Sequence, residues 1–315
     1  MAWTKTYHGA EPMRVNKWLA QEGACSRREA ETLIGDGHVE IDGVKLTSLG
    51  HKIADGETLT LNADATKRLD NQISVIFHKP KGIVSGTPED DQVPAIRMIT
   101  RENLRGRTHA IPGRNNSLAP LGRLDMDSRG LLIMSEDGVL AKAIIGPESR
   151  LEKEYLVRVA GEITDEVIGK LRHGLELDGR QLRPAIVEKV NRDQLRFILR
   201  EGRNRQIRRM CELVELRVFD LFRVRVGPVR LEGLEEGKWR IMVEKERSAL
   251  LRGLNPSERS VPRRKPGIAP RNPAPAPHRN TDDTTRPEGP QHGFRDPMKP
   301  LKRTKLKPRK RTPIK

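Results

Sequence analysis

The feature that most constrains the fold is a short apolar run with turn-forming residues on both sides. The run is Leu131-Leu-Ile-Met134, and it follows the polar stretch Gly122-Arg-Leu-Asp-Met-Asp-Ser-Arg-Gly130. Four apolar residues bounded by turn residues are typical of a buried strand. A helix capped by Ser135 or Asp137 can follow that strand. Asp125 then lies on irregular backbone beside the core, where catalytic groups are often held, although the spacing also fits a solvated surface turn.

Composition predicts a polyanionic partner. The chain has 315 residues, enough for about two domains, and 33% of them are charged, with a formal net charge of +17. Such a charge favours a nucleic acid as partner. Aromatic residues make up only 3% of the chain, which disfavours a sheet that stacks many bases on aromatic rings.

The cysteines and the apolar runs limit the possible compartments. Cys25 and Cys211 are far apart and show no C-x-x-C spacing, so a disulfide framework and a structural zinc site are disfavoured and a reducing cytoplasm fits. No apolar run approaches about 18 residues, so we expect no membrane span and no membrane partner. The N-terminus lacks the apolar core of a secretory signal.

The N-terminal region has the pattern of a small RNA-binding module. Residues 1–12 show no periodicity and predict a flexible arm, whereas residues 13–62 predict two helices packed on a small sheet. Ser26-Arg-Arg-Glu29 matches a capping box, and Asp42-Gly43 matches a hairpin turn. The polar side of the helices carries Lys17, Arg27 and Arg28. By itself this side could be an ordinary solvated face.

The run Arg14-Val-Asn-Lys-Trp-Leu-Ala, followed by Cys25-Ser-Arg-Arg-Glu-Ala30 and Val39-Glu-Ile-Asp-Gly43, resembles the S4 RNA-binding domain along nearly its full length. The resemblance implies that Lys17, Arg27 and Arg28 contact structured RNA.

The second part of the chain predicts a domain built on several strands. Residues 63–72 are polar and predict a linker, and Lys79-Pro-Lys-Gly82 predicts a sharp reversal after a strand. Residues 101–117 predict a basic loop rich in Arg, Gly and Asn. The helix around Gln206 has an apolar stripe and a second, basic stripe. That stripe could be a wet helix face, but its density favours contacts with phosphates or with a carboxylate.

The composition changes after residue 254. Residues 255–315 hold 17 Lys and Arg against five Asp and Glu, together with 13 of the 22 prolines. Such a segment cannot bury a core, so it predicts a disordered tail that attracts RNA without reading its sequence.

Four motifs in order resemble the pseudouridine synthases: Lys79-Pro-Lys-Gly82, Gly122-Arg-Leu-Asp125, Lys153-Glu-Tyr155 and Gly202-Arg-Asn-Arg-Gln-Ile-Arg208. With the leading S4 domain, the pattern is similar to type A of the ribosomal small-subunit enzymes in that family, and several motifs look closest to type F of the large-subunit enzymes. The resemblance implies an α+β fold: an S4 domain, then a catalytic domain over residues 73–246 with a mixed, mainly antiparallel sheet. The disordered basic tail predicted from composition follows this fold.

The resemblance also assigns roles to residues of the motifs. Asp125 would be the catalytic aspartate, Arg208 would pair with it, Tyr155 would stack on the target uracil and Ile207 would close the pocket. The expected RNA contacts in this domain are Arg123, Arg203, Arg205 and Arg209. Isomerising uridine breaks the N1–C1′ bond and rejoins the uracil through C5, and no metal, nucleotide or redox cofactor is required. The carboxylate could attack C1′ or the base, or remove a proton at C2′.

Structured ribosomal RNA is the expected partner, in particular 23S rRNA of the large subunit, with tRNA as a second candidate and the protein acting as a monomer in the cytoplasm. A non-catalytic RNA-binding ribosome-assembly factor is the alternative, and loss of Asp125, Tyr155 or Arg208 would have indicated it. A DNA-binding module using the helix after Gln206 is a weaker alternative, because no convincing partner helix of a helix-turn-helix precedes it.

Overall fold

The computed structural model describes residues 2–108, 110–113, 116–173 and 175–252. The predicted disordered tail, residues 255–315, lies outside the described residues. These described residues belong to one compact unit. None of the helices within them is both long enough and apolar enough to cross a lipid bilayer.

The N-terminal domain contains two helices on a small antiparallel sheet, as the sequence predicts. In chain order its elements are β1 (Trp3–Thr6), β2 (Met13–Arg14), α1 (Val15–Gln21), α2 (Arg27–Gly35), β3 (Val39–Ile41), β4 (Val44–Lys45), β5 (Lys52–Ile53) and β6 (Thr58–Leu61). The sheet has the order β1-β6-β3-β4. Both halves of the predicted capping box of α2 are formed, and Asp42 and Gly43 both have positive φ, as a two-residue hairpin turn requires.

The expectation of a flexible arm over residues 1–12 is wrong for its first part. β1 pairs with β6 in antiparallel register, from Trp3 opposite Leu61 to Thr6 opposite Thr58. The rings of Trp3 and Tyr7 pack edge-on against Trp18 at centroid distances of 6.2 and 5.4 Å. A four-residue strand is too short to show periodicity, so only these aromatic residues could have indicated it.

The segment predicted to be an irregular linker is a helix. α3 (Ala63–Asp70) begins at Asn62, whose side chain accepts a hydrogen bond from the Ala65 backbone N–H. Ala65 is fully buried in the N-terminal core. The helix therefore extends this domain as far as the start of the second domain, which is the one predicted to be catalytic.

The catalytic domain is built on a large mixed sheet. Its strands are β7 (Ser74–Lys79), β8 (Ile83–Val84), β9 (Val93–Pro94), β10 (Ala119–Pro120), β11 (Arg129–Ser135), β12 (Lys153–Ala160), β13 (Glu176–Leu177), β14 (Arg180–Gln181), β15 (Ile186–Asn191), β16 (Gln194–Leu199), β17 (Arg217–Val226), β18 (Val229–Arg230) and β19 (Trp239–Ile241). Its helices are α4 (Gly138–Ile145), α5 (Asp165–Arg172), α6 (Gln206–Glu212) and α7 (Glu244–Leu251), with 3₁₀ turns at Ala95–Met98 and Arg101–Asn103.

The large sheet has the order β15-β16-β12-β17-β11-β7-β19, with β10 added to β11 and β18 to β17. Its described strand pairs are antiparallel except β11 with β17. The predicted mixed, mainly antiparallel sheet is therefore confirmed. At the parallel pair Gly130 lies opposite Arg223 with φ of +117°. An added Cβ there would lie 2.3 Å from the Arg223 carbonyl oxygen, so only glycine lets the two strands approach.

The catalytic domain extends beyond the predicted limit of residue 246. α7 continues to Leu251, and Leu250 is fully buried against the core around β11 and α4. The Arg247 guanidinium binds the Asp137 carboxylate at 2.7 Å at the start of α4. The sequence did not predict this helix, because only one of its eight side chains is fully buried and most of the others are polar.

Candidate active site

The loop that carries Asp125 connects β10 to β11. Hydrogen bonds from the turn Lys79-Pro-Lys-Gly82 hold this loop in place. The Lys79 side chain is fully buried, and its Nζ donates to the carbonyl oxygens of Pro80 and Ser128, both at 2.8 Å. The Gly82 N–H donates to the Met126 carbonyl at 2.8 Å. Burial lowers the pKa of Lys79 to about 8. This motif therefore holds the loop in place and does not face the cavity.

A second anchor comes from Ser85. Its Oγ donates to the Leu124 carbonyl oxygen at 2.6 Å and accepts from the Leu124 N–H at 2.9 Å. The Ser128 N–H donates to the Asp125 carbonyl oxygen at 3.0 Å and closes a turn. Asp125 thus lies on a fixed turn, and its side chain remains 37% exposed toward the cavity.

Arg208 reaches the same loop from α6, but it does not pair with Asp125 as predicted. Its Nη2 donates to the Asp127 carbonyl oxygen at 3.0 Å and to Ser128 Oγ at 3.2 Å. It also lies 3.1 Å from Asp127 Oδ1. In the described residues the cation nearest Asp125 is Arg205, with 3.7 Å between Nη1 and Oδ2. Arg208 therefore supports the backbone beside Asp125 and neutralises the second carboxylate of the motif.

Arg205 connects the two carboxylates. It lies at the start of α6 with a φ of +48°, an uncommon conformation for a residue with a side chain. Its Nη2 is 3.2 Å from Asp127 Oδ2. Burial raises the pKa of Asp127, but the hydrogen bond from Arg205 and the charges of Arg208 and Arg205 outweigh burial and hold that pKa below its usual value. Strained backbone of this kind is concentrated at functional sites.

The loop forms one wall of an open cavity of about 640 Å³. The other walls come from the end of α4, the start of β12, the segment 199–205 and the start of α6. The predicted residues Asp125, Tyr155, Ile207 and Arg208 all line it. Tyr155 and Ile207 are buried, with Leu221 beside them on the cavity wall. The cavity thus combines an exposed carboxylate with an aromatic and an apolar surface.

Two further basic residues, Arg223 and Lys153, line the cavity. Arg223 is 1% exposed, and its Nε and Nη2 donate to the Leu131 and Gly122 carbonyl oxygens at 2.8 and 2.7 Å. Lys153 is 9% exposed, and its Nζ has no protein partner among the described residues. Burial, and then the charge of Arg223, lower the pKa of Lys153 to about 8. Lys153 belongs to the motif Lys153-Glu-Tyr155, but the sequence predicted no role for it. Arg223 lies outside the four motifs, and no sequence pattern predicted that it lines the cavity.

The predicted RNA-contacting arginines of this domain are placed differently. Arg123 is exposed at the cavity, as an RNA contact requires. Arg203 instead donates to the carbonyl oxygens of Leu177, Arg180 and Gln181 at 2.9–3.2 Å, so its guanidinium is bound within the protein. Arg209 pairs with Asp178 at 2.6 Å. Arg183, which the sequence did not single out, is exposed on the cavity rim.

The three predicted cations of the N-terminal domain, Lys17, Arg27 and Arg28, are all exposed. Cys25 and Cys211 are free thiols in the core, and burial raises the pKa of each to about 12. Cys211 is therefore a core residue, as its place on the apolar stripe predicts.

Comparison with known sequences identifies both domains. The S4 domain profile matches residues 13–59, and the profile described as RNA pseudouridylate synthase matches residues 73–213. An uncharacterized RNA pseudouridine synthase from Aquifex aeolicus is 34% identical over 76% of this chain and 97% of its own length. The chain belongs to the RNA pseudouridine synthase family. Members of this family are isomerases.

Other RNA pseudouridine synthases support the assignment. Dual-specificity RNA pseudouridine synthase RluF from Salmonella typhi is 33% identical over 74% of this chain and 76% of that protein. Ribosomal large subunit pseudouridine synthase B from Bacillus subtilis is 30% identical over 74% and 93%. A solved pseudouridylate synthase is 25% identical with a TM-score of 0.52, covering 76% of this chain and 99% of that one. These names refer to the large ribosomal subunit or to dual specificity. The expected similarity to type A of the small-subunit enzymes was therefore imprecise.

Proposed function

We propose that this synthase isomerises a specific uridine of structured ribosomal RNA, in particular 23S rRNA, to pseudouridine, with Asp125 as the catalytic carboxylate. The observation that carries the proposal is the cavity itself. It holds the Asp125 carboxylate on an anchored turn, and the buried Tyr155 and Ile207 line the same cavity. A reaction that detaches and turns a uracil ring needs such a group next to surfaces that hold the ring.

Asp125 has the exposure that this role requires. Its side chain is 37% exposed, and Arg205 contacts it at 3.7 Å without enclosing the carboxylate. A carboxylate oxygen can attack C1′ or the base, or remove the C2′ proton. Each route keeps the uracil in the enzyme until its C5 bonds to C1′.

The remaining residues serve binding. A uridine within a helix must leave the stack before it reaches the cavity, which costs a few kcal/mol. In the proposal Tyr155 stacks on the flipped uracil and Ile207 closes the pocket behind it. Arg123 and Arg205 contact the RNA at the cavity mouth, while Lys17, Arg27 and Arg28 contact it from the S4 domain.

The choice of RNA rests on the relatives. One is named for the ribosomal large subunit, and several are named dual-specificity enzymes. The second type of name indicates a further RNA substrate in those relatives, and for this chain we propose tRNA as the class to test next. Pseudouridine mapping of 23S rRNA and tRNA from cells with and without this gene identifies the uridine, and a position that loses its modification in the deletion strain is the expected result.

The catalytic assignment is tested with Asp125→Asn. The amide is nearly isosteric, so we expect pseudouridine formation to fall below detection while RNA affinity changes by less than a few fold. Asp91→Asn, at an exposed loop position, is the control and should retain full activity. Normal turnover by Asp125→Asn would refute the assignment. Wild-type protein that binds RNA but forms no pseudouridine in any of these RNAs would favour the non-catalytic assembly factor.

A further inference from the structure

The carboxylate of Glu29 receives hydrogen bonds from both domains. Its Oε2 accepts from the Ser26 N–H and closes the capping box of α2 in the S4 domain. Its Oε1 accepts at 3.1 Å from the N–H of Gly138, the first helical residue of α4 in the catalytic domain. The same oxygen accepts from the Gln72 side chain between the two domains. One carboxylate thus binds free N–H groups at the N-termini of two helices, where a negative charge is stabilised.

The close approach of the two helices requires glycine at position 138. A Cβ at Gly138 would lie 2.3 Å from Ser26 Cβ, 2.4 Å from Ser26 Oγ and 2.7 Å from Glu29 Oε2. Real Cβ atoms are not found at such distances, so any side chain at position 138 forces the helices apart. The sequence predicts the capping box but not the contact between Glu29 and Gly138, because these residues lie more than 100 positions apart.

α4 continues from this junction to the active site. One turn before its C-terminus, Lys142 Nζ donates to the Ala20 carbonyl of the S4 domain at 3.1 Å. The residues at its C-terminal end, Ile144, Ile145 and Gly146, line the catalytic cavity. A helix of eight residues is about 12 Å long. The S4 domain is therefore attached to the helix that forms one cavity wall.

We propose that Glu29 is a positioning residue: it fixes the S4 domain on the N-terminus of α4, so that the basic S4 face and the cavity engage one RNA in a set register. The inference rests on the proposed function in that one RNA reaches both domains. A preset arrangement avoids the entropy loss of ordering the domains upon binding. The junction therefore contributes to the affinity for an RNA that spans both domains and not to the chemical step.

Two variants approach the junction from opposite sides. Glu29→Ala removes the carboxylate but also opens the capping box of α2. Gly138→Ala leaves the whole S4 sequence unchanged and introduces the clash from the catalytic domain. Gly169→Ala is the matched control, because Gly169 is a helical glycine of the catalytic domain with no atom near its added Cβ.

The experiment measures kcat and KM for two RNAs: a full 23S rRNA transcript, and a short stem-loop around the modified uridine that contacts the catalytic domain alone. For both variants we expect KM for the transcript to rise about tenfold, equivalent to roughly 1.4 kcal/mol, with kcat within twofold. Neither constant for the stem-loop should change. Gly169→Ala should match wild type on both RNAs. Hydrogen exchange at the Gly138 amide, without RNA, should become faster in Glu29→Ala.

The opposite results overturn the proposal. Faster amide exchange with an unchanged KM for the transcript would mean that the junction is formed but does not position RNA. An equal loss on both RNAs would mean that the variants disturb the cavity or the fold. Amide exchange that does not respond to Glu29→Ala would mean that the carboxylate does not hold the junction. If wild-type protein modifies neither RNA, the proposed function fails, while the exchange measurement still tests the junction.

Discussion

At the scale of single residues, burial of the Lys153 ammonium group is unfavourable, and no carboxylate of the described residues pairs with it. It is nearly buried at the cavity floor, without a protein partner in the described part of the chain. Burial and Arg223 lower its pKa to about 8, below the usual 10.5. At pH 7 the charged form is therefore less favourable in the folded than in the unfolded protein. Its Nζ is not among the fully buried polar atoms, so it is open to the cavity, where a bound ligand can replace water as its acceptor.

We predict that Lys153→Met makes the protein more stable and less active. The free energy of unfolding at pH 7 should rise by about 1–3 kcal/mol, because a buried charge is removed. This gain should shrink between pH 8 and 10.5, where the folded wild-type protein has released the proton and the unfolded chain still binds it. Urea denaturation at several pH values measures the gain, and RNA modification assays measure the loss of activity.

Lys79→Met is the matched comparison. Lys79 has a similarly lowered pKa of about 8, but its Nζ donates to two carbonyl oxygens. Its loss should destabilise the protein, since the buried Ser128 carbonyl and the half-buried Pro80 carbonyl would lose their donor. If Lys153→Met is destabilising as well, Lys153 has a structural partner and not a free place for a ligand.

We predict that Arg208→Lys lowers kcat by about 10²-fold with a smaller effect on KM, because one ammonium group cannot replace both Nη1, which donates to the Val218 carbonyl oxygen, and Nη2, which donates to the Asp127 carbonyl oxygen. Arg158→Lys, which alters an exposed pair with Asp193 at 2.5 Å, should stay within twofold. Single-turnover kinetics with saturating enzyme measure the step. A normal kcat for Arg208→Lys would show that this anchor does not set the position of Asp125.

The residue patterns predicted which side chains meet, but not how they pair. Asp125, Tyr155, Ile207 and Arg208 were all expected at one site, and all line one cavity. Asp125 and Asp127 are two residues apart on a turn, so the partner of Arg208 depends on the direction of that turn. The anchors from Ser85 and Gly82 set this direction, and sequence spacing carries no information about them.

At the scale of secondary structure, β11 and β17 form the contact on which the active-site loop depends. Gly130→Ala should destabilise the protein by at least about 3 kcal/mol, because the added Cβ meets the Arg223 carbonyl oxygen at 2.3 Å and its nitrogen at 2.7 Å. Denaturant unfolding measures the loss. Gly35→Ala, at an open helical position, is the control and should be neutral or slightly stabilising. Equal stability of both variants would show that the strands can separate locally.

Elements with strong local signals were predicted well. The strand before Ser135, the capping box of α2 and the helix after Arg205 all have local turn, cap or periodicity signals. β1 and α3 were missed because they are short and hold their places through partners elsewhere in the chain. β1 has only four residues, and in α3 only Ala65 and Leu69, one turn apart, contact the core.

At the scale of the whole molecule, the charge is unevenly distributed. Residues 255–315 carry 17 of the 60 Lys and Arg residues. We predict that removing them leaves kcat unchanged and weakens RNA binding most at low salt, since fewer counterions are released upon binding. The difference in affinity should narrow as salt rises. Salt titrations of both forms with target and non-target RNA measure it, and a loss confined to target RNA would instead indicate sequence recognition by this segment.

The order of strands in the large sheet also determines when each domain can fold during synthesis. The sheet of the S4 domain is complete once residue 61 has been made, because β6 pairs with β1 and β3. The catalytic sheet needs β19, whose Trp239 pairs with Phe77 across most of that domain. At about 5–20 residues per second, translation separates these two points by roughly 10–40 s. The S4 domain can therefore fold before β19 has been made to pair with β7. The capping box that contains Glu29 can then be formed before Gly138 is synthesised.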